Sequence, residues 1–312
     1  MVQFGRIKVI IGENNSRYPY CTSIFVDDDI KAVIDPGAGV KALQELKQHN
    51  HIDLVYNTHF HYDHMAYNYL FDQAMLYINE QESMCYTDRK SIVQRMGMTD
   101  FFGDDYADKW VDYISNPNSQ QSPISPQKRH EWFLSTSMDI TSCKWGDVFD
   151  FGSTKMEVIG TPGHSQGFNC PYFPEEGVVY TGDYDLGGFG PWYGGKDCDL
   201  ELFVQSADKL LQLDANTYVT GHQKGIVNRA EFKEQLKRFM SVIDKRDQML
   251  LAALSFPISL KDLADQGLIY GKMFMIDEWV RAWEEMMDYC HLQRLLKNQL
   301  IVEIDGLYHK NN

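Results

Sequence analysis

The run Thr58-His59-Phe60-His61-Tyr62-Asp63-His64 places three imidazoles and a carboxylate within six residues. Neutral imidazole and carboxylate are the donors zinc takes where thiolate is absent. A helix would spread these side chains around its axis, whereas a tight loop leaving a strand can turn them toward one point. His59 and His61 alternate, so they face the same way while extended geometry lasts; Asp63 and His64 then reach a second point close by. Three more segments end alike: Val158-Ile159-Gly160-Thr161-Pro162-Gly163-His164, Val178-Val179-Tyr180-Thr181-Gly182-Asp183 and Tyr218-Val219-Thr220-Gly221-His222. Each is an apolar run, a glycine and a donor, and the glycine lets the backbone approach closely. So many ionisable groups packed together without a cation would be costly to desolvate. The set therefore reads as a site for divalent metal: zinc, with iron or manganese as the other candidates. His51, His130, His291 and His309 stand alone and are not assigned to it.

The surrounding elements must deliver these donors. Ile7–Ile11, Thr22–Val26 and Lys31–Ile34 are short β-branched runs broken by turn residues. Val40–Gln48 has helical spacing, Ile52–Tyr56 is a strand running straight into the histidine cluster, and Ala74–Ile78 is followed by a helix near Glu80–Gln94. Strand alternation returns at Asp147–Phe151 and Lys155–Ile159; Gly177–Tyr180 and Thr217–Thr220 flank a helix over Leu202–Leu213. This alternation of strand and helix predicts an α/β architecture. Residues 97–133 keep no period but carry Phe101, Phe102, Tyr106 and Trp110, with a Pro/Ser/Gln segment at Asn116–Gln127. Such an insertion is a surface excursion with its own small core, a lid beside the site, or a dimer contact. Past the last donor, helices are expected over Glu231–Phe256, at Ile258–Ala264 and over Asp277–Asn298, then a hairpin over Leu300–Lys310.

The chain of 312 residues carries a net charge of −15, and its last ninety residues are balanced, so the whole excess lies with the donors. That field repels polyanions within a Debye length of about 8 Å and argues against a nucleic-acid groove. The longest apolar stretches are too short to span a bilayer, and Met1–Gly12 has no secretory pattern. The six scattered cysteines read as buried reduced thiols. A cytoplasmic protein with no membrane partner is expected.

The His59-Phe60-His61-Tyr62-Asp63-His64 run resembles the HxHxDH signature of the metallo-β-lactamase superfamily, and His164, Asp183 and His222 match its remaining ligand positions. Ile34-Asp35-Pro36-Gly37 resembles its early strand-turn motif, whose Asp supports the metal loop. The resemblance covers about residues 7–225. It implies an αββα four-layer sandwich, residues 1–225, with His59, His61 and His164 on one metal, Asp63, His64 and His222 on a second, and Asp183 bridging them. The pair Asp63 and His64 is similar to the hydrolytic, glyoxalase II-like branch. Flavodiiron relatives carry Glu where this chain has His61, and di-zinc penicillin-degrading enzymes often carry Cys where it has Asp183. Residues 226–312 resemble the small, mostly helical winged-helix-like appendage of some members.

Two such metals, roughly 3.5–4 Å apart, share a water and lower its pKa toward 7. Asp63 is then placed to orient the hydroxide and shuttle its proton. The glycine- and aromatic-rich loop Asp185–Gly195 follows Asp183 and suits a pocket wall, with Tyr193 as a second oxyanion donor. The function expected is hydrolysis of a small ester-like molecule such as a thioester or lactone. A nuclease or phosphodiesterase, and a non-hydrolytic iron-binding member, are the alternatives. Basic residues for a glutathione carrier are not identifiable.

Overall fold

A computed structural model describes residues 2–119, 126–136 and 139–311. The first sheet has seven strands in chain order: β1 (Val2–Phe4), β2 (Ile7–Ile10), β3 (Ser23–Val26), β4 (Ala32–Ile34), β5 (Leu54–Tyr56), β6 (Met75–Asn79) and β7 (Ile140–Cys143). The pairing is antiparallel from β1 to β4 and parallel from β4 to β7. The second sheet has the order β13-β12-β11-β10-β9-β8, with β8 (Val148–Asp150), β9 (Lys155–Gly160), β10 (Asn169–Phe173), β11 (Val178–Gly182), β12 (Thr217–Thr220) and β13 (Ile226–Asn228). Strand β10 runs antiparallel to both neighbours and β11 parallel to β12, so β9, β11 and β12 all point one way.

Alternation along the strands builds four layers. Ile24, Val26, Ile34 and Tyr56 meet Met156, Val158, Val178 and Tyr180 between the sheets. Their neighbours Phe25, Val33 and Val55 face outward onto Leu43 and Leu46 of the helix Val40–His49. On the other side, Cys170, Val179 and Tyr218 pack on Phe203 and Leu210 of the helix Leu200–Gln212 and on Phe232 and Leu236 of the helix Arg229–Ala253. This is the expected αββα sandwich. All six cysteines are free thiols, four of them buried, and no helix among the described residues is long and apolar enough to cross a membrane.

Local chemistry sets several boundaries. The helix expected over Glu80–Gln94 is two, Met84–Thr87 and Lys90–Arg95. It breaks at Asp88, whose extended backbone frees its carboxylate to accept from Lys90 N and Ser91 Oγ at 3.1 Å each. The 97–133 insertion is helical at Met98–Phe102 and Tyr106–Ser115, and the helix Glu131–Ser135 closes it. Residues 120–125 of its Pro/Ser/Gln segment lie outside the described residues.

The C-terminal region has the expected order: helix Arg229–Ala253, short helix Leu260–Ala264, helix Glu278–Lys297, then the hairpin of β14 (Ile301–Ile304) and β15 (Leu307–Lys310). Asn228, Ser259 and Asp277 cap the three helices by accepting from backbone N–H groups of the first turn. The last helix belongs to two cores. Its start, Trp279, Val280 and Trp283, joins the large cluster outside the first sheet, and its end, Leu292 and Leu295, packs on Leu250, Leu263, Ile301 and Tyr308. The chain position 225/226 is therefore no break in packing.

Candidate metal centre

Every donor sits just beyond a strand's C-terminal end. His59 to His64 follow β5, His164 follows β9, Asp183 follows β11 and His222 follows β12. Because β9, β11 and β12 share a direction, their ends open on one edge of the sandwich. The seven side chains converge there in two groups: His59, His61, His164 and Asp183; and Asp63, His64 and His222. Asp183 joins them through separate oxygens. Its Oδ2 lies 2.9 Å from His164 Nε2 and 3.9 Å from His59 Nε2, while its Oδ1 lies 2.7 Å from His64 Nε2 and 3.5 Å from His222 Nε2. Asp63 Oδ2 is 3.1 Å from His222 Nε2. No other group of three or more ligand-type side chains converges among the described residues.

A second ring of contacts orients the donors. Asp35, fully buried after β4, accepts from His64 Nδ1 at 2.7 Å, from Thr58 N at 2.8 Å and from Thr58 Oγ1 at 2.7 Å. With its proton given to Asp35, Thr58 Oγ1 offers a lone pair to His59 Nδ1, 2.9 Å away. His164 Nδ1 donates to the Trp192 carbonyl at 3.0 Å, and His222 Nδ1 to the carbonyls of Ser16 and Tyr20 at 2.9 and 3.0 Å. The turn after Asp35 must be glycine: a Cβ on Gly37 would stand 1.7 Å from the Asp63 carbonyl oxygen. The His164 loop is held from below by Glu82, which accepts from Ser165 Oγ and, at 2.9 Å, from Gly167 N. Burial pushes the Glu82 carboxyl up to about 7.

These contacts test whether the residues fit metal ions. Protons fixed on Nδ1 of His64, His164 and His222 leave lone pairs on each Nε2, all aimed at carboxylate oxygens. His61 Nδ1 and His164 Nε2 approach to 2.8 Å. His59 Nε2, His64 Nε2 and Asp183 Oδ1 are buried and lack hydrogen-bond partners. Lone pairs converging on lone pairs repel unless cations stand between them. The titration pattern agrees. Burial, then the neighbouring histidines, holds His59 and His61 well below the usual imidazole range. At His222 burial also opposes charge, yet hydrogen bonds to Asp183 and Asp63 outweigh it and raise that imidazole. Protein charges alone must keep protons on part of the cluster to balance its carboxylates, and divalent cations would replace them. The donor set fits two such ions.

A sequence model described as the metallo-beta-lactamase superfamily matches residues 18–74 and 146–222, the two stretches that hold every donor. Over those two stretches the chain is similar to the metallo-β-lactamase superfamily. The fold, C-terminal region included, is similar to that of two solved structures. A metallo-beta-lactamase family protein from Thermus thermophilus superposes with a TM-score of 0.70 at 18% identity, over 98% of this chain and 99% of that one. A beta-lactamase domain protein from Burkholderia ambifaria gives 0.65 at 16% identity, over 100% and 93%. The hydroxyacylglutathione hydrolase of Brucella anthropi is 37% identical over 109 residues, and that of Brucella ovis 34%. The match spans 38% of each enzyme's length and 34% of this chain.

The donor cluster opens into a cavity of about 420 Å³, within the usual range for small-molecule sites. The insertion reaches it through Gln127 and Trp132; Trp110 instead is buried in the core, and Phe101, Phe102 and Tyr106 pack half-buried against it, Trp279 Nε1 donating to Tyr106 Oη at 2.7 Å. Tyr193 is a correction to the sequence reading. It is fully buried off the cavity, where its hydroxyl accepts from Arg246 Nη1 at 2.8 Å and meets His291 Nε2 at 2.6 Å. His291 Nδ1 in turn donates to Asp247 at 2.6 Å, so the trio ties the metal-side loop to the C-terminal helices. Sequence reasoning missed the far wall: Tyr270, Phe274, Val280 and Trp283 of the C-terminal region line the cavity. One signal was available, because Trp279, Val280, Ala282, Trp283 and Met287 put apolar bulk on several faces of one helix, as in a helix buried all round.

Proposed function

We propose that this chain is a dinuclear metal-dependent hydrolase, with zinc as the working metal, acting on a small ester-like substrate such as a thioester or lactone. The observation that carries the reading is the division of Asp183, one carboxylate oxygen toward each histidine group. Two divalent cations held there would polarise an acyl carbonyl and make hydroxide available at neutral pH. His59, His61, His164 and Asp183 would hold one, and Asp63, His64 and His222 with Asp183 would hold the other. Asp63, whose Oδ2 lies beside His222 Nε2, would orient the attacking water and take its proton. In the net reaction the water oxygen bonds to the acyl carbon, the bond to sulfur or alkoxyl oxygen breaks, and the leaving atom ends with a proton. The aromatic cavity walls keep bulk water from the reacting carbon.

Thioester, lactone and phosphodiester panels on zinc-reconstituted protein test this. Turnover of thioesters or lactones, lost in Asp183→Ala with folding retained, is expected; turnover of phosphodiesters alone, or unchanged activity in that variant, contradicts it.

A further inference from the structure

The cavity wall is a continuous aromatic strip leading away from the metal donors. Trp192 lies against His61 and His164, with ring centroids 5.0 and 5.5 Å away. Trp283 meets Trp192 edge-on at 5.8 Å, and Tyr270 lies 6.3 Å from Trp283. Phe189 continues the strip 5.1 Å beyond Tyr270. Trp192 Nε1 donates to Tyr270 Oη at 2.6 Å, which fixes the two rings to each other. Half of this strip is C-terminal and lies outside residues 18–74 and 146–222, the stretches matched by the family model.

Charge on the same wall is one-sided. Asp63 and Asp183 are committed to the metal donors, which leaves Asp185 as the lining carboxylate outside that set, and no Lys or Arg lines the wall among the described residues. Two cations that lie over lining rings, Arg246 over Phe189 and Arg129 over Tyr62, are already committed. Arg246 is buried and donates to the Phe189 and Pro191 carbonyls at 2.6 and 2.7 Å as well as to Tyr193. Arg129, beside Tyr62, pairs with Glu131 at 3.4 Å. A carboxylate carried on the substrate's acyl arm would enter this wall without a partner, at a desolvation cost. An uncharged ring or bulky aliphatic chain would bury apolar surface on rings already held in place.

We propose that the acyl part of the substrate is an uncharged aromatic or bulky aliphatic group seated against Trp192, Tyr270 and Trp283, so that the C-terminal region determines acyl specificity. This rests on the hydrolase reading for its chemistry but not for its binding. The test uses full-length, zinc-reconstituted protein and N-acetylcysteamine thioesters with acetyl, phenylacetyl or succinyl groups, which share one neutral leaving group. The phenylacetyl thioester is expected to exceed acetyl at least tenfold in kcat/KM, the scale on which an apolar pocket discriminates, with succinyl the poorest. Trp283→Leu and Tyr270→Ala should each lower kcat/KM for the phenylacetyl thioester, chiefly through KM, by more than for the acetyl thioester, so that the preference falls below about threefold. A second arm reads binding of the matching non-hydrolysable amides by tryptophan fluorescence in the same proteins. Tighter binding of the phenylacetyl amide without turnover of any thioester would sustain the pocket assignment and defeat the hydrolase reading. Equal or reversed preference among the amides, or variants that weaken all three equally, would overturn the pocket assignment itself.

Discussion

One carboxylate governs the proton positions on donors in both histidine groups, and its replacement by an amide has calculable consequences. Asp35 accepts from His64 Nδ1 and from Thr58 Oγ1 through the same oxygen, Oδ2, at 2.7 Å each. In Asp35→Asn the remaining oxygen can still accept from Thr58 N, and an NH2 group then stands where Oδ2 was. That group can only donate. His64 must present a lone pair at Nδ1 and carry its proton on Nε2, the atom 2.7 Å from Asp183 Oδ1 that a metal needs. The Thr58 hydroxyl, now accepting from the amide, donates to His59 Nδ1 and shifts that proton to Nε2 too. Losing such an orienting contact typically costs about 10–100-fold in metal affinity, roughly 1.4–2.7 kcal/mol per ion. Asp35→Asn is therefore expected to weaken both ions, whereas Thr58→Val, which removes only the hydroxyl relay to His59, should weaken one. Titration with a colorimetric chelator, read against metal content, resolves the two release steps. Two ions bound by Asp35→Asn within about threefold of wild type, well inside that range, would refute the tautomer argument.

Other outcomes follow from groups away from the ligands. Tyr193→Phe should leave kcat/KM within about threefold while lowering thermal stability, since it strands Arg246 and His291 at a cost of roughly 1–3 kcal/mol; a large loss of kcat at unchanged stability would restore Tyr193 as an oxyanion donor. Asp288 is fully buried, neither of its carboxylate oxygens has a partner, and burial with Glu284 and Glu285 pushes it up to about 8 from 3.8. Between those values the folded chain keeps a proton that the unfolded chain has lost, so stability falls as pH rises through the window and levels off above it. Asp288→Asn should gain in Tm over wild type by several degrees more near pH 9 than near pH 5; a difference that does not change with pH would mean that Asp288 does not titrate as placed. RNA and DNA should bind no tighter than micromolar at about 0.15 M salt, because a net charge of −15 opposes counterion release; sub-micromolar affinity would promote a nuclease reading.

The donors and their strands were legible because each obeys a local rule: an apolar run, a glycine, then a ligand-type side chain. Asp35 was legible only by resemblance, since nothing in its own spacing shows that it reaches His64 and Thr58. Strand β10 escaped the reading because Pro171 sits inside it, opposite Val158, and proline argues against a central strand. The break at Asp88 was hidden because helix spacing survives on both sides of it. Tyr193 misled for the opposite reason: its position after Asp183 suggested the cavity, but its partners Arg246 and His291 lie more than fifty residues away in sequence. The aromatic wall from the C-terminal helix is likewise a tertiary fact. Sequence shows that Trp283 must be buried, not that it is buried against Trp192.

Metal counting on the purified full-length chain tests the central claim most directly. Elemental analysis after zinc reconstitution and removal of excess metal should give about two equivalents per chain, the number a carboxylate-bridged hydrolytic pair requires, and Asp183→Ala should fall to about one or fewer. Less than one equivalent in the wild-type protein, or an undiminished pair in Asp183→Ala, would contradict the dinuclear centre.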